Sequence, residues 1–263
     1  MNKNAARTAR SRCLVPALAA AALLGGCAAV EPTNPRDPWE SYNRSMFAFN
    51  DAVDGAIYKP VATLYRDVTP KPARTCISNI FGNLNDAWSA FNSFLQGRPH
   101  DFANSLGRVL FNSTMGLGGC IDVASKNGAY HIPNDLGTTL GVWGLGSGPY
   151  VVLPFLGSST VRDTAATVTS VATISPRTPI FAINDVPVRN TLLGIYLVDI
   201  RAGLLSADEL VNRTALDRYS FIRDAYLQRR DALVGQRTGS QDSLPDYTDE
   251  DLPDYSDPEL AAK

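Results

Sequence analysis

The spacing of apolar residues along the chain predicts a mainly helical protein. Apolar side chains recur every three or four residues over most of the length, which places them on one face of a helix. Strand signals are weak, and the best of them is Tyr150–Leu153, which Pro154 ends. The predicted helices are 39–58, a short one after 59, about 84–96, 99–115, 121–125, 160–174, 188–205 and 206–235.

Prolines and a capping pattern set several of the predicted boundaries. Pro60, Pro70 and Pro72 predict a short helix and then a loop ahead of the helix at about 84. Ser206 and Glu209 have the spacing of a capping box, in which each side chain satisfies a free amide at the start of a helix. The last predicted helix therefore begins there.

The stretch 136–161 has no charged residue over 26 positions, a length that crosses a bilayer. It also has six glycines and two prolines, and inside a helix each glycine costs roughly 1 kcal/mol against alanine and each proline about 3. A transmembrane helix is therefore disfavoured, and a water-exposed loop would leave many large apolar side chains wet. Two interpretations remain: a buried irregular segment, or a segment that lines a cavity and moves about its glycines.

The N-terminus has the order of a secretory signal. Four basic residues precede a short apolar run, about half as long as a bilayer crossing. The run ends in Leu24-Gly25-Gly26-Cys27, which resembles the bacterial lipobox. That resemblance implies that Cys27 is acylated, and the absence of an aspartate after it favours the outer membrane. The alternative is an ordinary signal with a chance cysteine.

Charge divides the mature chain into a neutral body and an acidic tail. Basic and acidic residues are equal in number from Cys27 to Gln236, which argues against nucleic acid as a partner. Residues 237–263 hold eight acids and two bases, and docking to a basic partner is a second interpretation of this tail. The predicted organisation is a lipoprotein signal at 1–26, a linker at 27–38, a helical domain at 39–235 and a disordered acidic tail at 236–263.

Two cysteines remain after signal processing, Cys76 and Cys120. In an exported protein they predict a disulfide, with two separate buried thiols as the alternative. The bridge would close a loop of about 45 residues and stabilise the fold by roughly 3 to 4 kcal/mol.

Catalytic and metal-binding patterns are weak. The two histidines, His100 and His131, do not have metal-ligand spacing, and no nucleophile elbow or phosphate-binding loop occurs. Asp135, Asp163 and Asp185 are not paired with a base at a useful spacing. The sequence predicts neither an enzyme nor a cofactor.

Four blocks of sequence resemble the MlaA (VacJ) lipoprotein family, and the similarity extends over roughly 36–235. The blocks are WESYNRSMFAFND from residue 39, KPVATLYRDVTPKPAR from 59, FLQGRPHDFANSLGRVLFNSTMGLGGCIDVAS from 94 and LGTTLGVWGLGSGPYVVLPFLGSSTVRD from 136. The resemblance implies a mainly α fold, a ring embedded in the periplasmic leaflet of the outer membrane around an amphipathic channel.

The same resemblance implies a function in lipid transport. Phospholipids misplaced in the outer leaflet would pass through the channel to a periplasmic lipid carrier, which serves an ABC-type system of the inner membrane. A trimeric porin is the other implied partner, and no bond is made or broken. The alternative is a non-transporting structural lipoprotein that scaffolds a porin or an envelope complex; a phospholipase has no supporting residue arrangement.

Site residues follow from the charge-free stretch and from the cations near it. Arg108 and Arg162 are candidates for binding a lipid phosphate, with a structural Arg162 held by a neighbouring carboxylate as the alternative. Asn112 and Asp163 are further polar candidates near the channel. The candidates for the channel wall and its hinge are Gly141, Trp143, Gly144, Gly146, Gly148 and Tyr150.

Overall fold

The computed structural model describes residues 34–173 and 183–238. The predicted signal, Cys27 and most of the predicted linker and tail lie outside these residues. Within them the chain is mainly helical, as predicted, with one short β-hairpin.

The N-terminal helix is continuous through a π-helical turn. Helix α1 (Glu40–Val53) leads through the turn Asp54–Tyr58 into helix α2 (Lys59–Val68). The amide of Lys59 donates to the carbonyl of Asp54, five residues back. Pro60 has no amide hydrogen to donate, so this wider turn lets the helix continue past it.

A long helical hairpin follows. Helix α3 (Lys71–Leu95) packs along helix α4 (Pro99–Thr114), and a single turn, α5 (Val123–Lys126), comes after a glycine-rich loop. The predicted loop ahead of residue 84 is wrong, because α3 already begins at Lys71. Pro70 is the extended residue before this helix and Pro72 lies in its first turn, where a proline gives up no hydrogen bond.

The charge-free stretch forms a helix and a hairpin. Helix α6 (Leu136–Val142) is followed by strands β1 (Tyr150–Leu153) and β2 (Gly157–Thr160), and helix α7 (Val161–Thr173) continues directly from β2. The strands are antiparallel, with Tyr150 opposite Thr160. Strand β1 was predicted and β2 was not, since Gly-Ser-Ser-Thr has little strand preference of its own.

The C-terminal region forms three helices, not two. Helix α8 (Val186–Gly203) passes almost directly into α9 (Leu205–Thr214), and α10 (Arg218–Thr238) follows after a break. The single predicted helix 206–235 is therefore wrong. Ala215 is extended, and Asp217 accepts hydrogen bonds from the Tyr219 amide and the Ser220 hydroxyl to start α10. Ser206 forms no capping bond, because α9 begins one residue earlier from Leu204.

Contacts between these elements form a closed circuit. Helix α1 packs on β1, β2 on α10, α10 on α6, α6 on α3, α3 on α8, and α8 on α2, which returns to α1 along the chain. An ion pair with two hydrogen bonds strengthens one junction, where Arg201 of α8 holds Asp54 at 2.6 and 2.7 Å. This arrangement is consistent with a ring.

The hydrophobic core is small for a chain of this length. Its fully buried members are Tyr150, Val152, Tyr219 and Leu227, between the hairpin and α10. Elsewhere in the described residues, buried polar and charged side chains outnumber buried hydrophobic ones. The interior is therefore polar to an unusual degree.

The folded body includes residues that the sequence assigned to the linker. Asp37 is fully buried and accepts hydrogen bonds from Asn43, Tyr219 and Arg223. The Tyr150 amide donates to the carbonyl of Arg36. The chain is thus fixed to the hairpin and α10 before α1 begins.

Candidate functional site

Helix α4 has the inverse of the usual amphipathic pattern. Its buried residues are all polar or charged: Asp101, Ser105, Arg108 and Asn112, spaced at four, three and four. Helices of water-soluble proteins bury an apolar stripe instead. The polar face of α4 therefore points into the protein and its apolar face points outward.

Helix α3 shows the same inversion over its second half. Asn83, Asp86, Ser89, Asn92 and Ser93 are buried, and large apolar side chains face outward. The exposed apolar residues of this hairpin and of the loop after it are Ile80, Phe91, Phe94, Leu106, Leu110, Phe111, Met115, Leu117 and Ile121. An apolar surface of this extent is typical of a membrane or protein interface.

No described helix is both long enough and apolar enough to cross a membrane by itself.

A buried ion pair neutralises the only charges in the middle of the hairpin. Arg108 Nε donates to Asp86 Oδ2 at 2.8 Å, and both side chains are buried. The same guanidinium donates to the Ser125 hydroxyl and to the Ala129 carbonyl. The assignment of Arg108 to a lipid phosphate is therefore wrong, because its donors already have partners inside the protein.

The end of this hairpin is held by a hydrogen-bonded carboxylate and a disulfide. Asp122 accepts from Asn112 and Ser125, and although burial opposes it, these bonds lower the Asp122 pKa to about 2. The structure pairs Cys76 of α3 with Cys120 of the loop after α4. Asn112 therefore fastens the loop and does not line the large cavities.

Four neighbouring cavities among residues 34–173 and 183–238 bear on function. We name them A, about 400 Å³ between α1, α8, α9 and α10; B, about 430 Å³ between α3, α6, the hairpin, α7 and α10; C, about 340 Å³; and D, about 180 Å³. Ser158 lines both A and B, Trp88 and Tyr226 line both B and C, and Asn85 and His131 line both C and D. The shared residues show that A adjoins B, B adjoins C, and C adjoins D.

Cavity B is lined largely by the charge-free stretch and by α7. Residues Leu136, Gly137, Leu153, Leu156, Ser158 and Ser159 contribute from the stretch. The α7 residues on this wall are Asp163, Ala166, Thr167, Ser170 and Val171, which share one helical face. The wall is amphipathic, with leucines and valine beside hydroxyls and an ion pair.

An ion-paired network crosses the wall between cavities B and C. Arg230 Nη1 donates to Asp135 Oδ2 at 2.5 Å, and its Nη2 donates to Asp163 Oδ1 at 3.0 Å. The Tyr226 hydroxyl donates to Asp163 Oδ2 at 2.8 Å. Burial opposes ionisation of Asp135, but Arg230 outweighs it and lowers the Asp135 pKa. Burial and the nearby Asp163 raise the Tyr226 pKa, so the phenol stays a donor.

Arg162 is a structural residue, as the alternative held. Its Nε donates to Asp163 Oδ1 at 3.0 Å and its Nη1 to the Leu145 carbonyl at 3.2 Å, with the side chain buried. Its assignment to a lipid phosphate is wrong for the same reason as that of Arg108. Asp163, by contrast, does lie on the cavity wall.

The predicted hinge residues divide into two groups. A Cβ on Gly141 would lie 2.8 Å from Arg162 Nη1 and 2.7 Å from Val234, so Gly141 permits close packing and is not a hinge. Gly144 has φ +93 and nothing near its Cβ position, and Gly146 is equally unobstructed. The segment between α6 and β1 retains these two, together with Gly148 at φ +67, as hinge candidates.

The two predicted aromatic residues have different surroundings. Tyr150 is fully buried in the hydrophobic core, because side chains alternate between the two faces of β1 and Tyr150 lies on the face toward the core. Its assignment to the channel wall is therefore wrong. Trp143 is more than half exposed, and its indole N–H donates to the Leu95 carbonyl. It joins α6 to the end of α3 and lines none of the four cavities.

Sequence reasoning missed most of the wall residues on α3 and α10. Trp88, Tyr226, Arg229, Arg230 and Leu233 line cavities B and C. The signal was present in α10, since positions 226, 229, 230 and 233 share one helical face that mixes arginine with apolar residues. On this helix the sequence predicts that Tyr226 and Leu233 face inward and that Arg229 and Arg230 lie on the solvent side, and only the tertiary structure shows that all four line a cavity.

Comparison with known proteins gives the same fold and covers nearly the whole described body. Residues 35–233 match the family model described as MlaA lipoprotein. The chain belongs to the MlaA lipoprotein family. The family resemblance stated from the sequence blocks is therefore confirmed.

Named relatives and a solved structure extend the comparison. The "Intermembrane phospholipid transport system lipoprotein MlaA" of Shigella flexneri is 36% identical over 81% of this chain and 84% of its own. The Haemophilus influenzae protein of that name is 32% identical over 90% and 97%. A structure from work on "Structural basis for maintenance of bacterial outer membrane lipid asymmetry" matches with a TM-score of 0.63 and 37% identity, over 75% of this chain and 98% of that one.

Proposed function

We propose that this chain is an outer-membrane lipoprotein that takes mislocalised phospholipids from the outer leaflet and passes them through its cavities to a periplasmic lipid carrier. Its action maintains outer-membrane lipid asymmetry. It breaks no bond, and the lipid gradient or its partners supply the direction. The MlaA relatives, named for intermembrane phospholipid transport, support this assignment.

One structural observation carries the proposal: part of the body exposes apolar side chains and buries polar ones. The α3–α4 hairpin turns its apolar face outward, while the neighbouring cavities A to D have linings that mix apolar and polar side chains. Apolar side chains on the outside are unfavourable in water, and hydrocarbon that covers them removes this cost. An amphipathic interior suits a molecule with acyl chains and a polar headgroup.

The proposed location rests on the predicted lipid anchor. Cys27, acylated, would hold the chain in the periplasmic leaflet of the outer membrane. Six residues separate it from Asn34, the first residue described, and an extended chain over these seven Cα–Cα steps reaches at most about 25 Å. Because residues 36 and 37 are fixed to β1 and α10, the anchor keeps the body close to the membrane.

The proposed partners follow from the resemblance to the family. They are a trimeric porin beside the ring and a soluble carrier that receives the lipid and serves an ABC-type system. Affinity purification of the acylated chain in mild detergent, followed by identification of bound proteins and lipids, tests both.

The decisive experiment narrows cavity B with a larger side chain and leaves the outer surface of the protein unchanged. Ser170 lines cavity B on α7, and Ser170→Trp places an indole in the path. Val168 lies two residues away on the exposed face of the same helix, and Val168→Trp is the matched control. We expect Ser170→Trp to fail, and Val168→Trp to succeed, in restoring the detergent resistance and low surface phospholipid of a host lacking the wild-type chain.

The scaffold alternative predicts a different result. A structural lipoprotein needs its surface and not its interior, so a folded, membrane-associated Ser170→Trp chain would restore the host fully. That result would overturn the transport proposal. Thermal unfolding of both variants in detergent shows whether Ser170→Trp has kept its fold.

A further inference from the structure

The lipid phosphate needs donors that the protein does not already use. Arg108, Arg162 and Arg230 are all occupied by carboxylates or carbonyls. We infer that cavity C contains the site for the phosphodiester of a phospholipid, with Arg229 as the cation that holds it. This inference rests on the proposed function and names where the headgroup binds.

Three side chains of cavity C have unused donors. Arg229 lines this cavity with Asn85 and Trp88; Arg229 and Asn85 are exposed to solvent there, and Trp88 is partly buried. Within residues 34–173 and 183–238, the guanidinium of Arg229, the amide of Asn85 and the indole N–H of Trp88 make no hydrogen bond or ion pair with one another or with any other group. Donors grouped around one cavity without acceptors are the complement of an anion.

The charges around cavity C leave one positive charge in excess. Arg230 is neutralised there by Asp135, and Asp163 holds it from the side of cavity B. His131 also lines the cavity, and its Nδ1 lies 2.5 Å from Asp86, which pairs with Arg108. Arg229 remains as the cation without a carboxylate, so a single phosphodiester charge would balance the site.

The neighbouring cavity indicates a lipid and not a soluble phosphate. Trp88 and Tyr226 line both cavity C and the adjoining cavity B. Beyond them, cavity B presents Leu136, Leu153 and Val171, which fit acyl chains. A phosphodiester at Arg229 thus places its glyceride tails beside the apolar side chains of the amphipathic cavity B.

The test compares two lipids that differ in the phosphate. Full-length acylated protein in mild detergent is incubated with phosphatidylglycerol or with diacylglycerol of the same chains, and native mass spectrometry measures the retained lipid. We expect the wild type to retain phosphatidylglycerol at least tenfold better. Arg229→Gln should lower that preference about tenfold, which corresponds to about 1.4 kcal/mol. It should leave the retention of diacylglycerol unchanged.

Matched variants separate the site from general charge. Arg213 is an exposed arginine that pairs with Glu209 and lines none of the four cavities, so Arg213→Gln removes the same charge and should keep the preference. Arg229→Lys should recover part of it. Trp88→Phe removes only the indole donor and keeps a ring against Phe91, so a few-fold loss is expected.

Three outcomes would overturn the inference. They are an unchanged preference in Arg229→Gln, an equal loss in Arg213→Gln, and displacement of phosphatidylglycerol by equimolar inorganic phosphate, which would make a soluble anion the ligand. Failure of the proposed function looks different. In that case wild-type protein retains neither lipid, and no variant alters a preference that does not exist.

Discussion

The α3–α4 hairpin and the wall of cavity B both bury polar groups, but the two regions differ in how far these groups are open to a cavity. In the hairpin, Asp86 is fully buried and lines none of the four cavities, and its buried partner Arg108 lines only the smallest of them, cavity D. On the wall, Arg230, Asp135 and Asp163 form a comparable network, but they line open cavities. In the hairpin the polar groups hold two helices together beneath an apolar surface. On the wall the polar groups contact the solvent or ligand in the cavity.

This difference teaches how one chain can be stable with so small an apolar core. Buried polar stripes, most of whose side chains are hydrogen-bonded, replace apolar packing where the outside is apolar. Removing one partner from a sealed pair leaves a buried charge, whereas an open cavity lets solvent or ligand compensate. The two regions should therefore differ in their sensitivity to equivalent substitutions.

The largest effect is expected from Arg108→Met. The fully buried Asp86 carboxylate would keep only His131 as a close partner, and breaking a buried pair costs about 3 to 5 kcal/mol. Denaturant unfolding in mild detergent measures it. The double variant Arg108→Met with Asp86→Leu removes both charges and should regain most of the stability; if it does not, the lost packing and not the stranded charge is responsible.

The next effect concerns the same hairpin. Replacing Cys76 and Cys120 with serine releases the loop that follows α4, and we expect a loss of about 3 to 4 kcal/mol in the free energy of unfolding. Thiol titration of the unreduced mature protein should find no reactive thiol from this pair. Two reactive thiols per chain, or equal stability with and without reductant, would contradict the bridge.

A smaller loss is expected on the wall. Arg230→Met removes one partner of Asp163, which keeps Arg162 and the Tyr226 hydroxyl, and the Asp135 side chain is nearly half exposed and can be solvated through the cavity. We expect about 2 to 3 kcal/mol, less than for Arg108→Met. Parallel unfolding of the two variants makes the measurement, and an equal or larger loss for Arg230→Met would remove the distinction between the two regions.

Alanine substitutions at two glycines between α6 and β1 should separate the effect of backbone strain from the effect of a lost hinge. Gly144 has φ +93, so alanine there costs about 1 to 2 kcal/mol of backbone strain. Gly146 has an ordinary φ and free space around it, and alanine there should change stability by only a few tenths. A stable Gly146→Ala chain that fails to restore outer-membrane asymmetry supports a hinge; full restoration argues against one at this residue.

The smallest effect is a dependence on pH. Asp122 has a pKa of about 2 in the folded protein, below its ordinary value of about 3.9. Its contribution to stability is complete above about pH 4 and is lost as pH falls toward 2. Asp122→Asn should flatten this acid limb relative to the wild type, and an identical acid limb would show that other carboxylates control it.

Much of the architecture could be predicted from the sequence, because the evidence was local. Helical periodicity predicted α4, α8 and most of α1, and the apolar run Tyr150–Leu153 ahead of Pro154 predicted β1. Pattern reasoning failed where a residue acts differently in context. Pro72 suits a first helical turn, and strand β2 depends on its partner β1 for its hydrogen bonds.

The sequence by itself determined the helical class, the family, and the conclusion that 136–161 is no simple membrane span, since glycine and proline content decides that locally. The tertiary structure alone decided which side of each helix faces inward. Periodicity marks two faces of a helix but does not say which one is outside, and in α4 the usual assumption is reversed. For the same reason only the fold could show that Arg108 and Arg162 are occupied while Arg229 is not.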